Sequence, residues 1–332
     1  IDVDNDFKPT YKNLSDKRDI IKTLKSLSKG KQVILAADDD REGEAIAWHC
    51  ANVLGVKIGP KNRITYREIS KQAILNALQE PREIDMCEVN SQQARRIIDR
   101  LIGFKLSPCL WKHIQTKENG LSAGRVQSAL LNLLDERDTH IQTYEPDISL
   151  DIQADFIDLD NNCEFVFEKG YVDSIDDEFI QLLFTIFSKS REFRVCNHTC
   201  LKDKSYPKKP FITSTLQQSA QNELGFSVGM TMDIAQKLYE SGHITYMRTD
   251  STFISEEFQT QLNRKVNMDY GEGYYQKSKE KKVKGAQEAH EAIRPTHLFQ
   301  YPSLDGIQKK LYDFILKRTI TSHMKPALYD VY

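Results

Sequence analysis

The stretch "ILAADDDREGEAIAWH", residues 34–49, constrains the fold more than any other part of the chain, because three consecutive aspartates separate an apolar run from a helical pattern. The overlapping run "KQVILAA" predicts a buried β-strand, and "GEAIAWHCANVLG" has apolar residues at helical spacing. Open α/β sheets bind ligands at the carboxyl ends of their strands. The chain is therefore predicted to start with an α/β region that holds a ligand site at this junction.

Three acidic residues of this stretch, Asp38, Asp40 and Glu42, are spaced by two. Carboxylates crowded in this way repel one another unless a positive charge lies between them, and a helix amino terminus supplies only about half an elementary charge. Oxygen ligands without neighbouring cysteine or histidine favour Mg²⁺. Arg41 and Gly43 are placed to let a phosphate approach. The residues alone leave an alternative open, in which one aspartate caps the helix and its neighbours are solvated.

The rest of the chain changes its pattern several times, and at 332 residues it is long enough for more than one domain. "NRITYREI" predicts a second strand, and "SKQAILNALQE", "VNSQQARRIIDRLIGFKL" and "SAGRVQSALLNLLDERDTHI" predict helices. The runs "ISLDIQADF" and "CEFVFEKGY" alternate and predict two strands around the turn "DLDNNC". Two more helices are predicted over "TSTLQQSAQNELGF" and "TMDIAQKLYESGH", the second closed by Gly242.

The charge of the chain is unevenly distributed. A formal net charge of -2 argues by itself against a nucleic-acid partner. Residues 95–125, however, carry a net charge of +5, whereas residues 145–187 carry a net charge of -11. The basic part could face a polyanion, although two ordinary solvated surfaces remain an alternative.

Several classes of protein have no support in the sequence. No run of about 18 apolar residues could cross a bilayer, and the beginning of the chain has neither the basic start nor the apolar stretch of a signal peptide. The six cysteines form no Cys-x-x-Cys pair, which favours a reducing compartment over a disulfide framework. We therefore expect an intracellular protein, in the cytoplasm or nucleoid if it is bacterial.

The acidic stretch resembles a known motif. "AADDDREGEAIAWH" is similar to the acidic signature of the Toprim domain, as found in type IA DNA topoisomerases, and five further stretches resemble successive motifs of that family in the same order. They are "NSQQARRIIDRLIGFKLSPCLW" (90–111), "SAGRVQSALL" (122–131), "PFITSTLQQSAQNELGFS" (210–227), "GHITYMRTDST" (242–252) and "AHEAIRPTH" (289–297). Within the family, "YMRTDS" is more similar to the bacterial topoisomerase I branch than to the topoisomerase III branch.

This resemblance implies a multidomain α/β plus α plus β fold. The parts are a partial, Rossmann-like Toprim domain (1–85), a helical DNA-binding domain (86–140), a β-rich arch segment (141–210), a helical, winged-helix-like domain with a catalytic tyrosine (211–300), and a helix that returns into the arch (301–332). It implies a magnesium-dependent, ATP-independent enzyme that cleaves one DNA strand, passes another and religates, relaxing negative supercoils. The implied partner is single-stranded or negatively supercoiled DNA, with no membrane and a monomeric protein.

Tyr246 is the candidate nucleophile. It lies in a polar segment of mixed charge, after Thr245 and before Arg248 and Asp250, which is unlike a core sequence. A phenol has a pKa near 10 and needs a positive charge or a base to act as a nucleophile, and Arg248 would lie on the same side of an extended strand. The resemblance implies that Tyr246 forms a 5′-phosphotyrosyl intermediate, with Arg248 stabilising charge on the phosphate. Thr245 and Asp250 are predicted to contact DNA.

Two further side chains have roles that the resemblance implies. His290, in "AHEAIRP", is predicted to contact phosphate or relay a proton near Tyr246, although a structural histidine is the alternative on the residues alone. Glu42 is predicted either as the third metal carboxylate or as the general acid toward the 3′-oxygen, and the sequence leaves both open.

An arginine-rich helix is predicted to hold the DNA strand. Arg96, Arg100 and Phe104 fall at i, i+4 and i+8 on one face, as expected for a strand-gripping and base-stacking surface. An amphipathic helix with a charged face is the alternative. In the family the stacking position often holds tyrosine, so Phe104 keeps the ring and lacks the hydroxyl. The full predicted DNA-contacting set of this region is Arg95, Arg96, Arg100, Phe104, Arg125 and Gln127.

The resemblance also predicts an internal fragment. The family's Toprim domain begins with an earlier strand that carries a glutamate and a lysine used in cleavage and rejoining, whereas "IDVDNDFKPTYKNL" resembles the segment after it. "PALYDVY" resembles the return into the arch. We expect weak activity at best and marginal stability. Alternatives are a Toprim nuclease or primase, a fragment that only binds single-stranded DNA, and a topoisomerase III-like decatenase.

Overall fold

The structure is a computed structural model that describes residues 1–59, 61–114, 120–146, 153–158, 163–168, 177–189, 200–277, 291–304 and 306–331. The helices are α1 (Arg18–Ser28), α2 (Arg41–Leu54), α3 (Lys71–Gln79), α4 (Met86–His113), α5 (Arg125–Gln142), α6 (Asp177–Lys189), α7 (Thr213–Leu224), α8 (Val228–Glu240), α9 (Glu256–Tyr270) and α10 (Gly306–Thr321). The strands are β1 (Gln153–Asp158), β2 (Cys163–Glu168), β3 (Leu201–Ser205) and β4 (Ala327–Val331). The described residues are thus mostly helical, with two small two-stranded sheets, β1 with β2 and β3 with β4.

The chain divides into two compact units. The first comprises Ile1–Leu101 and Lys202–Val331, and the second comprises Ile102–Leu201, so the division falls within α4. No helix among the described residues is long and apolar enough to span a bilayer. The division into five domains made from the sequence stays a prediction.

The two strands predicted around the acidic stretch are reduced to single bridges. Leu35 pairs with Arg63 in parallel, and Arg63 pairs with Arg82 in antiparallel orientation. The Leu35 amide donates to the Asn62 carbonyl at 2.6 Å, and the Ile64 amide donates to the Leu35 carbonyl at 2.9 Å. The prediction of continuous strands is therefore wrong for the described residues. A physical reason is that the carbonyls of residues 37 and 38 accept hydrogen bonds from the Arg63 side chain. A β-strand would instead pair these carbonyls with backbone amides of a neighbouring strand.

Helix α2 packs closely against this bridge because its buried face carries small residues. Ala47 and Ala51 are buried together with Leu35, Ile84 and Val89 in one apolar cluster. The helix ends at Leu54, where Gly55 adopts a left-handed conformation with φ of 68°. The helices predicted over residues 43–55 and 70–80 are confirmed as α2 and α3.

A larger core surrounds the segment that carries Tyr246. It is formed by α7, α8 and α10 and includes Phe211, Leu216, Ala220, Ile234, Leu238, Leu311 and Ile315, with Tyr239, Ile244, Tyr246 and Met247. A second cluster on α9 comprises Ile254, Phe258, Leu262, Ala292 and Leu298. The candidate nucleophile is therefore part of the largest of these buried clusters.

The turn after α8 fixes where residues 243–247 run. Gly242 has φ of +74°, and a Cβ atom at this position would lie 2.5 Å from the Ile69 carbonyl oxygen. Beyond the turn, Ile244 forms an antiparallel bridge with Pro295, and the Tyr246 amide donates to the Arg67 carbonyl at 3.1 Å. The tyrosine segment is thus pinned between the region of residues 67–69 and the segment that follows residue 290.

The second unit contains the predicted hairpin. β1 and β2 are antiparallel, with Ala154 opposite Phe167 and Asp158 opposite Cys163, as the alternating runs and the turn predicted. Helix α6 lies in the segment that was expected to be rich in strands (141–210), so the described part of this segment contains both a helix and strands. Its sequence, "DEFIQLLFTIFSK", has apolar residues at helical spacing, which the sequence analysis did not use.

Candidate active site

The acidic motif lies at the amino terminus of α2, and Asp40 caps that helix. The Asp40 Oδ1 atom accepts a hydrogen bond from the Gly43 amide at 2.7 Å. The capping alternative left open by the sequence is therefore observed for Asp40. This capping leaves its second carboxylate oxygen available for another partner.

Gly43 brings the helix against the backbone of the motif. A Cβ atom on this residue would lie 2.2 Å from the Asp38 carbonyl oxygen. Gly43 therefore has a role in packing, and its predicted role in letting a phosphate approach stays a prediction. Arg41 was predicted together with Gly43 to let a phosphate approach. In the structure its Nε atom lies 3.5 Å from the Glu88 carboxylate.

We expect Gly43→Ala to lower the free energy of unfolding by about 2 kcal/mol or more. The new methyl group would collide with the Asp38 backbone, which cannot move aside as easily as the end of a flexible side chain. Urea denaturation measures the change. Gly229→Ala on α8 is the matched control, since nothing lies within 4 Å of a Cβ there. Equal losses in the two variants would show that the close approach to Asp38 is not a constraint.

Arg63 holds the turn that carries Asp38. This arginine is fully buried, with 0% of its surface exposed. Its guanidinium donates to the Ala37 carbonyl at 2.6 Å and to the Asp38 carbonyl at 2.7 Å. Because these two carbonyls belong to the acidic motif, Arg63 fixes the backbone from which the Asp38 side chain projects.

Glu44 balances the buried charge of Arg63. Its carboxylate accepts from the Arg63 Nε atom at 2.9 Å, from Arg82 at 2.8 Å and from the Asp85 amide at 2.6 Å. Burial by itself would raise the pKa of Glu44, but the hydrogen bonds from Arg82, Asp85 and Arg63 hold this pKa below its usual value. The network is therefore charged and fully hydrogen-bonded, as a buried ion pair must be to persist.

Tyr246 contacts the acidic motif directly. It is buried, with 4% exposure, and its hydroxyl donates to the Asp40 Oδ2 atom at 2.5 Å. Burial raises the pKa of the Tyr246 phenol, and the hydrogen bond to Asp40 and the charges of Asp40 and Asp38 raise it further, whereas Arg248 lowers it. At neutral pH the phenol is therefore protonated, and its proton faces a carboxylate that can accept it.

Asp38 has a tyrosine partner of its own. The Tyr239 hydroxyl donates to the Asp38 Oδ1 atom at 3.1 Å, and the rings of Tyr239 and Tyr246 meet edge to face with centroids 5.2 Å apart. Burial raises the pKa of Asp38 and so does the charge of Asp40, while the Tyr239 hydrogen bond and the charge of Arg248 lower it. The two aspartates are therefore close enough to repel each other, as the sequence predicted.

The residues that flank Tyr246 differ in their exposure to solvent. Arg248 and Asp250 are exposed, so a ligand can reach both. Thr245, also predicted to contact DNA, is 1% exposed, and its hydroxyl donates to the Ala292 carbonyl at 2.7 Å. The structure therefore shows a packing contact for Thr245, and its contact with DNA stays a prediction.

Glu42 lies apart from the contacts of the two aspartates. Its side chain is 46% exposed on the first turn of α2 and lies 3.6 Å from Arg95. Among the described residues, no three acidic, histidine or cysteine side chains converge as a metal site. The donor set that fits a cation is the Asp38 and Asp40 pair, since Mg²⁺ is often held by one or two carboxylates and completes its shell with water.

The predicted DNA-contacting residues lie on α4 and α5. Arg95, Arg96 and Arg100 are exposed on the part of α4 that belongs to the first unit. Phe104, Arg125 and Gln127 belong to the second unit and are exposed there. His290 lies outside the described residues.

The sequence analysis missed three residues that shape this site, Arg63, Glu44 and Tyr239. A signal existed for Glu44, because it lies at i, i+3 and i+7 with Ala47 and Ala51 on the buried face of α2. An acid in that position requires a buried cation as partner. Nothing in the local pattern distinguishes Tyr239 from an ordinary core tyrosine.

The sequence of this chain is similar to known protein families and to a known protein. A family model described as DNA topoisomerase matches residues 83–332, and a Toprim domain model matches residues 3–71. The chain belongs to the DNA topoisomerase family. It is 41% identical over 345 residues to DNA topoisomerase 1 of Thermotoga maritima, and the alignment covers 99% of this chain and 53% of that protein.

The fold is also similar to a solved structure. Full-length topoisomerase I from Thermotoga maritima matches with a TM-score of 0.82 and 39% identity, covering 99% of this chain and 55% of that one. The chain therefore spans about half the length of the relatives it matches. The topoisomerase family expected from the six motifs is confirmed.

The two matched regions meet at the site. The acidic motif lies within the Toprim match and Tyr246 within the topoisomerase match, so the hydrogen bond between Tyr246 and Asp40 joins them. Toprim domains typically bind a divalent metal. The acidic motif with Asp38 and Asp40 lies within the residues that the Toprim model matches.

Proposed function

We propose that this chain carries the cleavage and religation site of a type IA DNA topoisomerase of the bacterial topoisomerase I branch, which relaxes negative supercoils without ATP. The observation that carries the proposal is the hydrogen bond from Tyr246 to Asp40, because it places a buried, protonated phenol against a carboxylate of the acidic motif. A buried phenol needs a hydrogen-bond partner, and the partner of Tyr246 is a carboxylate that can also take its proton. The phenol and acid together form a nucleophile with its base.

The chemistry follows from this arrangement. The Tyr246 oxygen attacks phosphorus, the bond from phosphorus to the 3′-oxygen breaks, and a 5′-phosphotyrosyl bond forms. The phenolic proton passes to Asp40, and the 3′-oxygen takes a proton and leaves as a hydroxyl. Religation reverses both steps, so the number of P–O bonds is conserved and no ATP is required. Arg248, exposed beside Tyr246, is proposed to stabilise the phosphate charge.

Glu42 keeps its two proposed roles, as a metal ligand that completes the shell or as the acid that protonates the 3′-oxygen. Its exposure and its position on the first turn of α2 leave the carboxylate free to move between Arg95 and a bound strand. His290 remains proposed as a phosphate contact or proton relay. The other proposed DNA contacts are Arg95, Arg96, Arg100, Phe104, Arg125, Gln127, Thr245 and Asp250.

Mg²⁺ is proposed to bind at Asp38 and Asp40, where it would supply positive charge beside the reacting phosphate. The donor chemistry supports this assignment, because burial and the mutual repulsion of the two carboxylates already raise the pKa of Asp38, and a cation relieves both.

We expect Asp38→Ala or Asp40→Ala to weaken Mg²⁺ binding at least about tenfold, because each variant removes a ligand that carries charge. Isothermal titration calorimetry measures the affinity. Asp39→Ala is the matched control, since Asp39 forms an ion pair with Arg82 at 3.5 Å, whereas the hydroxyls of Tyr239 and Tyr246 donate to Asp38 and Asp40. Unchanged Mg²⁺ affinity in Asp38→Ala and Asp40→Ala would mean that these aspartates do not bind the cation and serve only in helix capping and packing.

The experiment that tests the proposal as a whole detects the covalent intermediate. The protein is mixed with 3′-labelled single-stranded DNA and MgCl₂, quenched with denaturant and separated by electrophoresis. We expect label to migrate with the protein, because a 5′-phosphotyrosyl bond retains the 3′ part of the strand. DNA binding without labelled protein would favour the alternative of a protein that only binds single strands.

The partner is proposed to be single-stranded or negatively supercoiled DNA, bound by a monomer inside the cell. The exposed arginines of α4 support binding to a strand backbone. A preference for decatenation, as in the topoisomerase III branch, remains the alternative within the family.

A further inference from the structure

Tyr239 is a second tyrosine at the acidic motif. Its hydroxyl donates to the Asp38 Oδ1 atom at 3.1 Å, whereas the Tyr246 hydroxyl donates to Asp40. The two aspartates of the motif are therefore matched by two phenols, one each. Only one of these phenols is needed as a nucleophile.

The position of Tyr239 is fixed from several sides. It lies near the end of α8, it is buried, and it belongs to the core cluster that α7, α8 and α10 form. Its ring meets the Tyr246 ring edge to face at 5.2 Å, because the turn at Gly242 reverses the chain between the two residues. A hydroxyl on a ring held in this way cannot turn away from Asp38 without disturbing the core.

We propose that Tyr239 is a positioning residue that orients the Asp38 carboxylate for a divalent cation. The proposal rests on the proposed function, in which Asp38 and Asp40 hold Mg²⁺. A hydrogen bond to one carboxylate oxygen fixes the orientation of the carboxylate before the cation binds. Cation binding then does not have to restrict the rotation of this side chain. Arg63 fixes the Asp38 backbone and Tyr239 fixes its side chain, and together they leave this ligand one orientation.

Aromatic packing alone is the competing explanation for Tyr239. Tyr239→Phe separates the two, because phenylalanine keeps the ring in the core and removes only the hydroxyl. Tyr312→Phe is the matched control. Tyr312 is buried in the same cluster, and its hydroxyl donates to the His297 carbonyl at 3.4 Å and not to the acidic motif.

The measurement is a calorimetric titration with MgCl₂ on the wild type and both variants, without DNA. We expect Tyr239→Phe to weaken Mg²⁺ binding about tenfold to a hundredfold, as the loss of a residue that orients a metal ligand does. Tyr312→Phe is expected to bind as the wild type does. The unfolding midpoint without Mg²⁺ should fall by a similar amount in both variants, whereas the upward shift produced by Mg²⁺ should shrink only in Tyr239→Phe.

Unchanged Mg²⁺ affinity in Tyr239→Phe would overturn the proposal, and so would tighter binding, which would mean that the phenol competes with the cation. If the wild type binds no Mg²⁺ at all, the positioning role falls together with the cation site. The covalent adduct assay keeps the failures distinct. If the wild type forms the labelled adduct and Tyr239→Phe binds Mg²⁺ as tightly as the wild type does, the positioning role of Tyr239 is wrong. The proposed cleavage function would still stand.

Discussion

Tyr246→Phe is expected to abolish the covalent protein–DNA adduct while it leaves noncovalent DNA binding within about twofold of the wild type. The variant removes the attacking oxygen and keeps the ring, so no phenol oxygen remains at this position beside Asp40. The ring remains in the core, and the lost hydrogen bond costs about 1–3 kcal/mol of stability, since Asp40 loses a donor.

The assay is the label-transfer experiment with 3′-labelled single-stranded DNA, accompanied by a mobility-shift measurement of binding. Tyr312→Phe serves again as the control, because it makes the same chemical change in the same core cluster. An adduct that persists in Tyr246→Phe would assign the nucleophile to another residue. Loss of the adduct in both variants would point to a general weakening of the fold.

Arg63→Met is expected to lower the free energy of unfolding by about 3–5 kcal/mol at neutral pH, the largest stability effect of any substitution considered for this chain. The variant leaves the Glu44 carboxylate buried with one fewer cation, and it frees the carbonyls of Ala37 and Asp38 from their donor. Lys265→Met is the control, because it breaks a partly exposed ion pair with Asp269 and should cost less than about 1 kcal/mol.

The same variant has an expected pH dependence. Because the folded state holds the pKa of Glu44 below its usual value of 4.5, the stability that Glu44 contributes is present above pH 4.5 and is lost as pH falls through the lowered pKa. Without Arg63, the pKa of Glu44 loses one of the interactions that lower it and rises, although Arg82 and the Asp85 amide still bind the carboxylate. The difference in unfolding free energy between wild type and Arg63→Met should therefore shrink in acid.

Urea denaturation at pH 7 and below pH 4.5 measures this difference. A gap that stays constant with pH would mean that Arg63 acts through packing volume and not through the charge of Glu44. A gap no larger than that of Lys265→Met would remove Arg63 from the set of residues that hold the acidic motif.

Much of the candidate site could be predicted from local sequence. The acidic motif, the helix that follows it and the exposed arginines of α4 depend on residues close together in the chain, where spacing and capping rules apply. The β1–β2 hairpin was predictable for the same reason, because its alternation and its turn are local. The misassigned segments were those where tertiary contacts decide, such as the bridge at Leu35, whose neighbouring carbonyls are taken by the Arg63 side chain.

The sequence by itself determined the family, the acidic pair and the candidate nucleophile, because residue types and spacing carry that information. Only the tertiary structure decided how they meet: Asp40 accepts from a tyrosine 206 residues away, and Asp38 accepts from one 201 residues away. It also buried Thr245, which a polar segment made look accessible, and left Glu42 on an exposed turn. The physical reason is that burial and hydrogen-bond partners depend on which segments pack together, and contacts between residues so distant in the chain have no signature in local periodicity.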